Sequence, residues 1–328
     1  MKAVRVREEE AETVRQKLLS EGVLDRSRKL VKRNGLIEIP VTDSESGPGL
    51  VEQEEPEFYI PKKTLGSILD IPENEKELLP SGWLLLGDVI IITLRQELEI
   101  RKKDIAKALL SIYPGCRTVL LDRGISGKMR QPMRELISGE KTETIHRENG
   151  CQFRLDAMRI MYSQGNLYER MRMSRLGKGE VVVDMFAGIG YFSIQMAVHS
   201  KPETIFAIEI NPVSFGYLRE NIRRNRVEDI IEPVEGDCSL IAPRGIADRV
   251  IMGYLNAHHY IEHGIRALVP GGVLHYHEAV PEAVEQRPVE RIVEAAGKLG
   301  RKVEIIEARK VKKYSPGVWH VVVDAKIC

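Results

Sequence analysis

Residues 181–190 read Val-Val-Val-Asp-Met-Phe-Ala-Gly-Ile-Gly. A β-branched run that ends in a short acid and then in small residues is a buried parallel strand feeding a tight loop. Gly188 and Gly190 let backbone N–H groups approach a ligand at the carboxyl end of that strand, beside the start of a helix. Ser193 stands where a pyrophosphate cradle would carry its third glycine, which disfavours a dinucleotide. A second strand ends at Ala207-Ile208-Glu209, and an acid at that tip accepts hydrogen bonds from ribose hydroxyls. Glu209 follows Asp184 at close to the spacing of about 20 residues used in nucleotide-binding folds. A third strand closes on Glu235-Gly236-Asp237-Cys238, which places Asp237 to accept from an adenine amine. The set describes a pocket for an adenosine-bearing ligand without a pyrophosphate.

The pattern D-x-F-A-G-x-G, an acidic second-strand tip and a Gly-Asp after the third strand resemble the class I S-adenosylmethionine-dependent methyltransferase superfamily. The resemblance implies a Rossmann-like α/β domain with a seven-stranded sheet, its last strand antiparallel, and S-adenosyl-L-methionine as cosubstrate. Asp184, Phe186, Ala187, Gly188, Gly190, Glu209, Asp237 and Cys238 are the implied cofactor residues. Just upstream, residues 161–172 (Met-Tyr-Ser-Gln-Gly-Asn-Leu-Tyr-Glu-Arg-Met-Arg) resemble the archaeal and eukaryotic tRNA enzymes that act beside the anticodon. Ser163 and Arg170 match positions expected near the cofactor, with Arg170 as partner for the carboxylate of the methionine arm.

Two branches share these motifs, a tRNA guanine-N1 methyltransferase and a wybutosine-synthesis aminocarboxypropyl transferase. The methyltransferase branch is expected to carry Asn-Leu-Pro or Asn-Pro-Pro after strand four. This chain reads Gly253-Tyr254-Leu255-Asn256 there, and His275-Tyr276-His277-Glu278 after strand five, forms similar to the aminocarboxypropyl branch. That branch implies transfer of the 3-amino-3-carboxypropyl group to C7 of 4-demethylwyosine, the tricyclic base next to the anticodon of tRNA(Phe), with release of methylthioadenosine. The guanine-N1 methyltransferase and a non-catalytic tRNA-binding module are the alternatives.

An electron-rich base can attack the activated carbon directly, so positioning rather than a strong base should supply most of the rate. Tyr254, Asn256 and His277 are the positioning residues expected, and no catalytic base is nominated. His275 and His277 are read as facing opposite ways, with His277 at the strand tip turned toward the cleft. His259 and His263 have the i, i+4 spacing of a two-histidine metal face, but no third ligand is evident and no metal is expected.

Cations gather before and beside the glycine loop. Arg123, Lys128, Arg130 and Arg134 stand without an acid among residues 123–134, and Arg170, Arg172, Arg175 and Lys178 form a second group. Arg123, Lys128, Arg130, Arg134, Arg172 and Arg175 are read as phosphate contacts to tRNA. Lys310, Lys312 and Lys313 form a third group, and the stretch Arg28-Lys29, Lys32-Arg33 could reach a distal part of the tRNA. With Lys+Arg 49 against Asp+Glu 48 the formal charge is only +1, so a general polycation is excluded while local patches are not.

The elements that must position these residues follow from periodicity. The 328 residues suggest more than one domain. A small N-terminal module over 1–77 has a helix over Glu8–Ser20, closed by Gly22, and a strand over Leu36–Val41. An α+β middle domain over 78–162 has strands at Gly87–Thr93 and Thr118–Asp122, a helix over Ile100–Tyr113, and a hairpin turning on Asn149-Gly150. The cofactor domain over 163–328 alternates strand and helix from Val181, and its last two strands pair antiparallel. Four dispersed cysteines argue against a disulfide framework. The charged N-terminus and the absence of a long apolar run lead to the expectation of a cytoplasmic protein with no membrane partner.

Overall fold

A computed structural model describes residues 1–42, 49–59, 63–127 and 131–328. The chain divides into two compact units, Met1–Thr64 and Leu65–Cys328.

The first unit holds β1 (Lys2–Arg7), α1 (Ala11–Ser20), β2 (Val31–Arg33), β3 (Leu36–Pro40) and β4 (Leu50–Glu52), in an antiparallel sheet ordered β2-β3-β1-β4. Glu8–Glu10 form a 3-10 turn, so α1 starts later than its charge pattern suggests, and Gly22 follows it in the left-handed region at φ 72°. Arg28, expected on a tRNA-facing surface, is buried; it donates to Asp25, Gln53 and the carbonyls of Lys2 and Val41. Its neighbours are also paired, Lys29 with Glu57, Lys32 with Glu8 and Arg33 with Glu55.

The second unit opens with two short helices, α2 (Leu65–Ile68) and α3 (Glu73–Lys76). It continues with β5 (Leu84–Leu86), β6 (Val89–Ile92), α4 (Lys102–Ile112), β7 (Thr118–Ser126) and β8 (Gln131–Ser138). The sheet is ordered β5-β6-β7-β8, and β6 with the first four residues of β7 is buried on both faces. Ile90, Ile92, Val119 and Leu121 pack under Ile105 and Leu109 of α4, while Val89, Ile91 and Leu120 face the hairpin of β9 (Glu143–Glu148) and β10 (Cys151–Asp156). The hairpin turns on Asn149 (φ 47°) and Gly150 (φ 75°), the two positive φ values that a two-residue primed turn requires.

The cofactor sheet follows α5 (Leu167–Met173). It runs through β11 (Val181–Asp184), α6 (Ser193–His199), β12 (Thr204–Glu209), α7 (Pro212–Asn225), β13 (Ile231–Glu235), α8 (Cys238–Ile241) and β14 (Ala247–Met252). The chain then closes with α9 (Ile261–Ala267), β15 (Leu268–Pro281), α10 (Arg287–Lys298), β16 (Val303–Ser315) and β17 (Val318–Ile327). The strand order is β13-β12-β11-β14-β15-β17-β16, parallel except for β17, which runs against both neighbours. The order reverses between β11 and β14, and a ligand crevice opens at the carboxyl ends of strands flanking such a switch. The outermost strand, β16, shifts register against β17 between Ile305 and Glu307, Lys310 and Lys312, and Lys313 and Ser315.

Two asparagines one helical turn apart tie the hairpin to this sheet. Asn221 accepts from Arg154 N (2.7 Å) and donates to Arg154 O (3.1 Å); Asn225 does the same with Gln152 N (2.8 Å) and O (2.7 Å). The helix turn thus replaces a missing strand along the outer edge of β10, and satisfies its otherwise orphaned backbone groups.

Candidate functional site

The loop after β11 is built by its own acid. Asp184 is fully buried; it accepts from Phe186 N (3.3 Å) and from the Ser193 hydroxyl (2.6 Å). Burial pushes its pKa up to about 6 against the hydrogen bonds that oppose it. Asp184 therefore shapes the loop from beneath rather than reaching outward. The serine that replaces a third glycine is its hydrogen-bond partner. Gly188 (φ 59°) and Gly190 (φ 98°) take left-handed backbone. A Cβ on Gly188 would come within 2.6 Å of the Tyr191 ring, and one on Gly190 would strike Ile194, so only glycine fits at either place.

Glu209 at the tip of β12 staples that loop. Its carboxylate accepts from Gly188 N (2.8 Å) and Asn211 N (2.7 Å), and burial raises its pKa. A carboxylate has about four acceptor sites, so acceptor capacity remains for a hydroxyl. Asp237 caps α8 by accepting from Ser239 N (2.9 Å) and the Ser239 hydroxyl (2.7 Å). Cys238 beside it is buried, its thiol pushed up to about 12 and thus un-ionised. Ile210, Leu240 and Ile241, exposed around these tips, went unnoticed in the sequence; their signal is apolar residues placed just past strand ends.

Across the switch point, Phe186 packs against Tyr254 (5.4 Å between centroids) and Tyr260 (5.3 Å), joining the glycine loop to the loop after β14. The Phe192 ring lies against Gly253, where a Cβ would sit 2.8 Å from it. Asn256 is exposed and bridges to Glu278. Glu278 itself is buried, accepting from Tyr276, Arg287 and Arg291, which anchors α10.

His275 and His277 share one face of β15, as residues two apart on a strand must; the expectation of opposite faces is corrected. His275 sits between Arg249 Nη1 (2.5 Å) and Asp324 (2.5 Å). Arginine only donates, so His275 Nε2 accepts and its Nδ1–H donates to Asp324. His277 pairs with His320 (3.1 Å) and stands edge-on to Phe192. Burial drives both imidazoles down to about 3, so they are neutral. His277 Nε2 and His320 Nδ1 have no partner among the described residues. His277 is thus buried beneath the cleft rather than open to it.

Several expected contacts change role. The guanidinium of Arg170 is taken by this chain: Nε and Nη2 donate to Glu148 (2.6 and 2.6 Å) and Nη1 to the Ser163 carbonyl (2.8 Å). The expectation that it holds the methionine carboxylate is revised accordingly. Ser163 accepts from Lys312 Nζ (2.7 Å), which draws the third basic group to the site. Arg172 joins a buried ion network with Glu169, Asp324 and Arg309, extending through His275 to Arg249 and Glu180. Arg134 is buried and donates to the carbonyls of Ala157 and Ile160, with Asp122 beside it, so it is no phosphate contact. Arg123 is held by Glu99 (2.6 Å) and Glu135 (2.5 Å), acids that the local sequence window could not show. Lys128 and Arg130 lie outside the described residues. Arg175 is exposed. No helix among the described residues is long and apolar enough to cross a membrane.

Residues 144–306 match the TRM5/TYW2 methyltransferase domain, 65–142 the TYW2 N-terminal domain, and 3–48 the tRNA methyltransferase 5 N-terminal domain. A tRNA(Phe) (4-demethylwyosine(37)-C(7)) aminocarboxypropyltransferase of Methanocaldococcus jannaschii is 46% identical over 74% of this chain and 96% of its own length. Trm5b of Pyrococcus abyssi, named a tRNA (guanine(37)-N(1))-methyltransferase, is 36% identical over 99% of this chain and 98% of its own. Its crystal structure superposes with a TM-score of 0.79 at 35% identity, covering 100% of this chain and 99% of that one. The structure of Pyrococcus horikoshii TYW2 in complex with MeSAdo covers 79% of this chain and 95% of its own at 39% identity, with a TM-score of 0.71.

Proposed function

The chain belongs to the TRM5/TYW2 family, and from that premise we propose that it is the aminocarboxypropyl transferase. It moves the 3-amino-3-carboxypropyl group of S-adenosylmethionine to C7 of 4-demethylwyosine at position 37 of tRNA(Phe), the activity named for its M. jannaschii relative. The observation that carries this reading is the loop after β14. Gly253-Tyr254-Leu255 follows the strand with no proline, and residues 65–142 match the TYW2 N-terminal domain.

The residues fit the cosubstrate. Gly188 and Gly190 hold the loop in left-handed backbone packed against Tyr191 and Ile194, so at those two positions no side chain stands over the carboxyl end of β11. Glu209 keeps acceptor capacity for ribose hydroxyls, while Asp237 with Ile210 and Leu240 would border the adenine. The sulfonium supplies an activated carbon, so the chain's own task is to bind, orient and exclude water. Phe186, Tyr254 and Tyr260 supply an apolar wall beside the loop, and the positioning roles of Tyr254 and Asn256 belong to this proposal. Lys312, held on Ser163, brings a cation to the side of the site that Arg170 leaves. We read Met1–Thr64 as an accessory tRNA module, residues 65–162, which start earlier than the expected 78, as the domain that positions tRNA, and 163–328 as the catalytic domain of a cytoplasmic enzyme.

A guanine-N1 methyltransferase is the second reading, favoured by the N-terminal unit, which the Pyrococcus Trm5b match also spans. One experiment separates them. The chain is incubated with labelled S-adenosylmethionine and either tRNA carrying 4-demethylwyosine or unmodified tRNA carrying guanosine at the same place. Methylthioadenosine released only with the first tRNA supports the transferase; S-adenosylhomocysteine released with the second overturns it.

A further inference from the structure

Glu148, at the end of β9, lies outside the glycine loop and is buried, with only 8% of its side chain exposed. It accepts from Arg170 Nε and Nη2 (2.6 and 2.6 Å), from the Tyr162 hydroxyl (2.7 Å) and from Gln195 Nε2 (2.6 Å). These partners come from α5, the segment before it, and α6, so one carboxylate gathers three pieces of chain onto the hairpin. The Arg170 guanidinium lies over the Tyr162 ring at 5.1 Å, and Tyr162 meets Tyr191 edge-on at 5.6 Å. Tyr191 donates its hydroxyl to the Met161 carbonyl, and its ring fills the space where Gly188 would carry a Cβ. An unbroken run of contacts therefore leads from the hairpin to the turn of the glycine loop.

A buried ion pair is a weak device for stability, because desolvation offsets most of the attraction. Its virtue is fixed geometry, since a bidentate arginine–carboxylate pair admits only one arrangement. The segment so fixed, Met161–Ser163, ends on the serine that Lys312 grips.

We propose that Glu148 is a positioning residue for the amino-acid arm of the cosubstrate. Through Arg170 and Tyr162 it holds Met161–Ser163 as a rigid wall, and that wall sets the space the arm must occupy. The proposal rests on the reading that the site takes S-adenosylmethionine.

The test compares two ligands on the full chain by calorimetry: S-adenosylmethionine, which has the arm, and methylthioadenosine, which lacks the amino-acid tail. Glu148→Gln removes the charge, and Tyr162→Phe removes only one hydrogen bond, so at least one variant stays folded. S-adenosylmethionine affinity is expected to fall about tenfold in Glu148→Gln and about threefold in Tyr162→Phe, with methylthioadenosine affinity unchanged in both. Equal losses for the two ligands, or no loss in a folded variant, would overturn the proposal. A wild-type chain that binds methylthioadenosine but not S-adenosylmethionine, or neither, overturns the cosubstrate reading itself and the proposal with it.

Discussion

At the scale of single residues, the chemistry of the glycine loop lies in side chains that face inward. Glu209 serves the protein and the ligand at once, because its carboxylate holds the Gly188 and Asn211 amides. Glu209→Ala should weaken S-adenosylmethionine binding by about 10- to 100-fold, on the order of 1.5–3 kcal/mol for hydrogen bonds to a charged group. Calorimetry checks it, and unchanged affinity would remove the ribose role. Arg134 is predicted to behave oppositely to a phosphate contact. Arg134→Met should lower unfolding stability by roughly 3 kcal/mol, because it strands Asp122 and two carbonyls, while the salt dependence of tRNA binding stays put. Denaturant titration and binding at several salt concentrations measure the two halves. The strand tip and glycine loop that carry Asp184, Gly188, Gly190 and Glu209 were legible in the sequence from residue type and spacing, though not that Asp184 faces inward. The fate of Arg134 and Arg170 was not, because their partners, Asp122 and Glu148, are chosen by tertiary contacts.

At the scale of elements, the seven cofactor strands and the Asn149-Gly150 hairpin follow from β-branched runs and turn chemistry. Strands such as Lys2–Arg7 and Gln131–Ser138 escaped, since the exposed arginines of the first and the inward-turned Arg134 of the second mask the twofold pattern. Asn34-Gly35, which closes β2 on β3, is a hairpin signal of the same kind. The asparagine pair on α7 was unreadable in principle, because nothing local says that a helix will substitute for a strand. Asn225→Ala should cost roughly 1–3 kcal/mol by orphaning the Gln152 amide and carbonyl, measured by denaturant midpoint. The β15–β17 pair carries a pH signature. His275, His277 and His320 are depressed by burial, with His277 and His320 at about 3 against an ordinary 6.5; Asp324, Arg172, Arg309, Glu169 and Lys312 modulate them. Between those values the unfolded chain binds more protons, so stability is complete above about pH 6.5 and declines as pH falls toward 3. Unfolding midpoints at pH 7.5 and pH 5 should differ in that sense, and His320→Gln should shrink the difference.

At the scale of the whole molecule, the boundary at Thr64 separates a unit matched by the tRNA methyltransferase 5 N-terminal domain from one matched by the TYW2 N-terminal domain and the TRM5/TYW2 methyltransferase domain. Deleting residues 1–64 is expected to leave S-adenosylmethionine affinity unchanged and to weaken tRNA binding; a loss of cofactor binding on truncation would contradict this division. The near-zero sum of charges at first suggested segregated patches. Among the described residues Arg123, Arg134 and Arg172 are locally neutralised, so Arg175 becomes the place to probe. The register shifts of β16 bear on the life of the molecule in a crowded cell. An open, flat sheet edge is a template onto which another chain can add. Here the rim strand is kinked three times and bears Lys310, Lys312 and Lys313, so it offers no straight, uncharged ladder. Replacing Lys310 and Lys313 by threonine should leave the fold intact while letting the protein self-associate on its bare margin, a change light scattering would report.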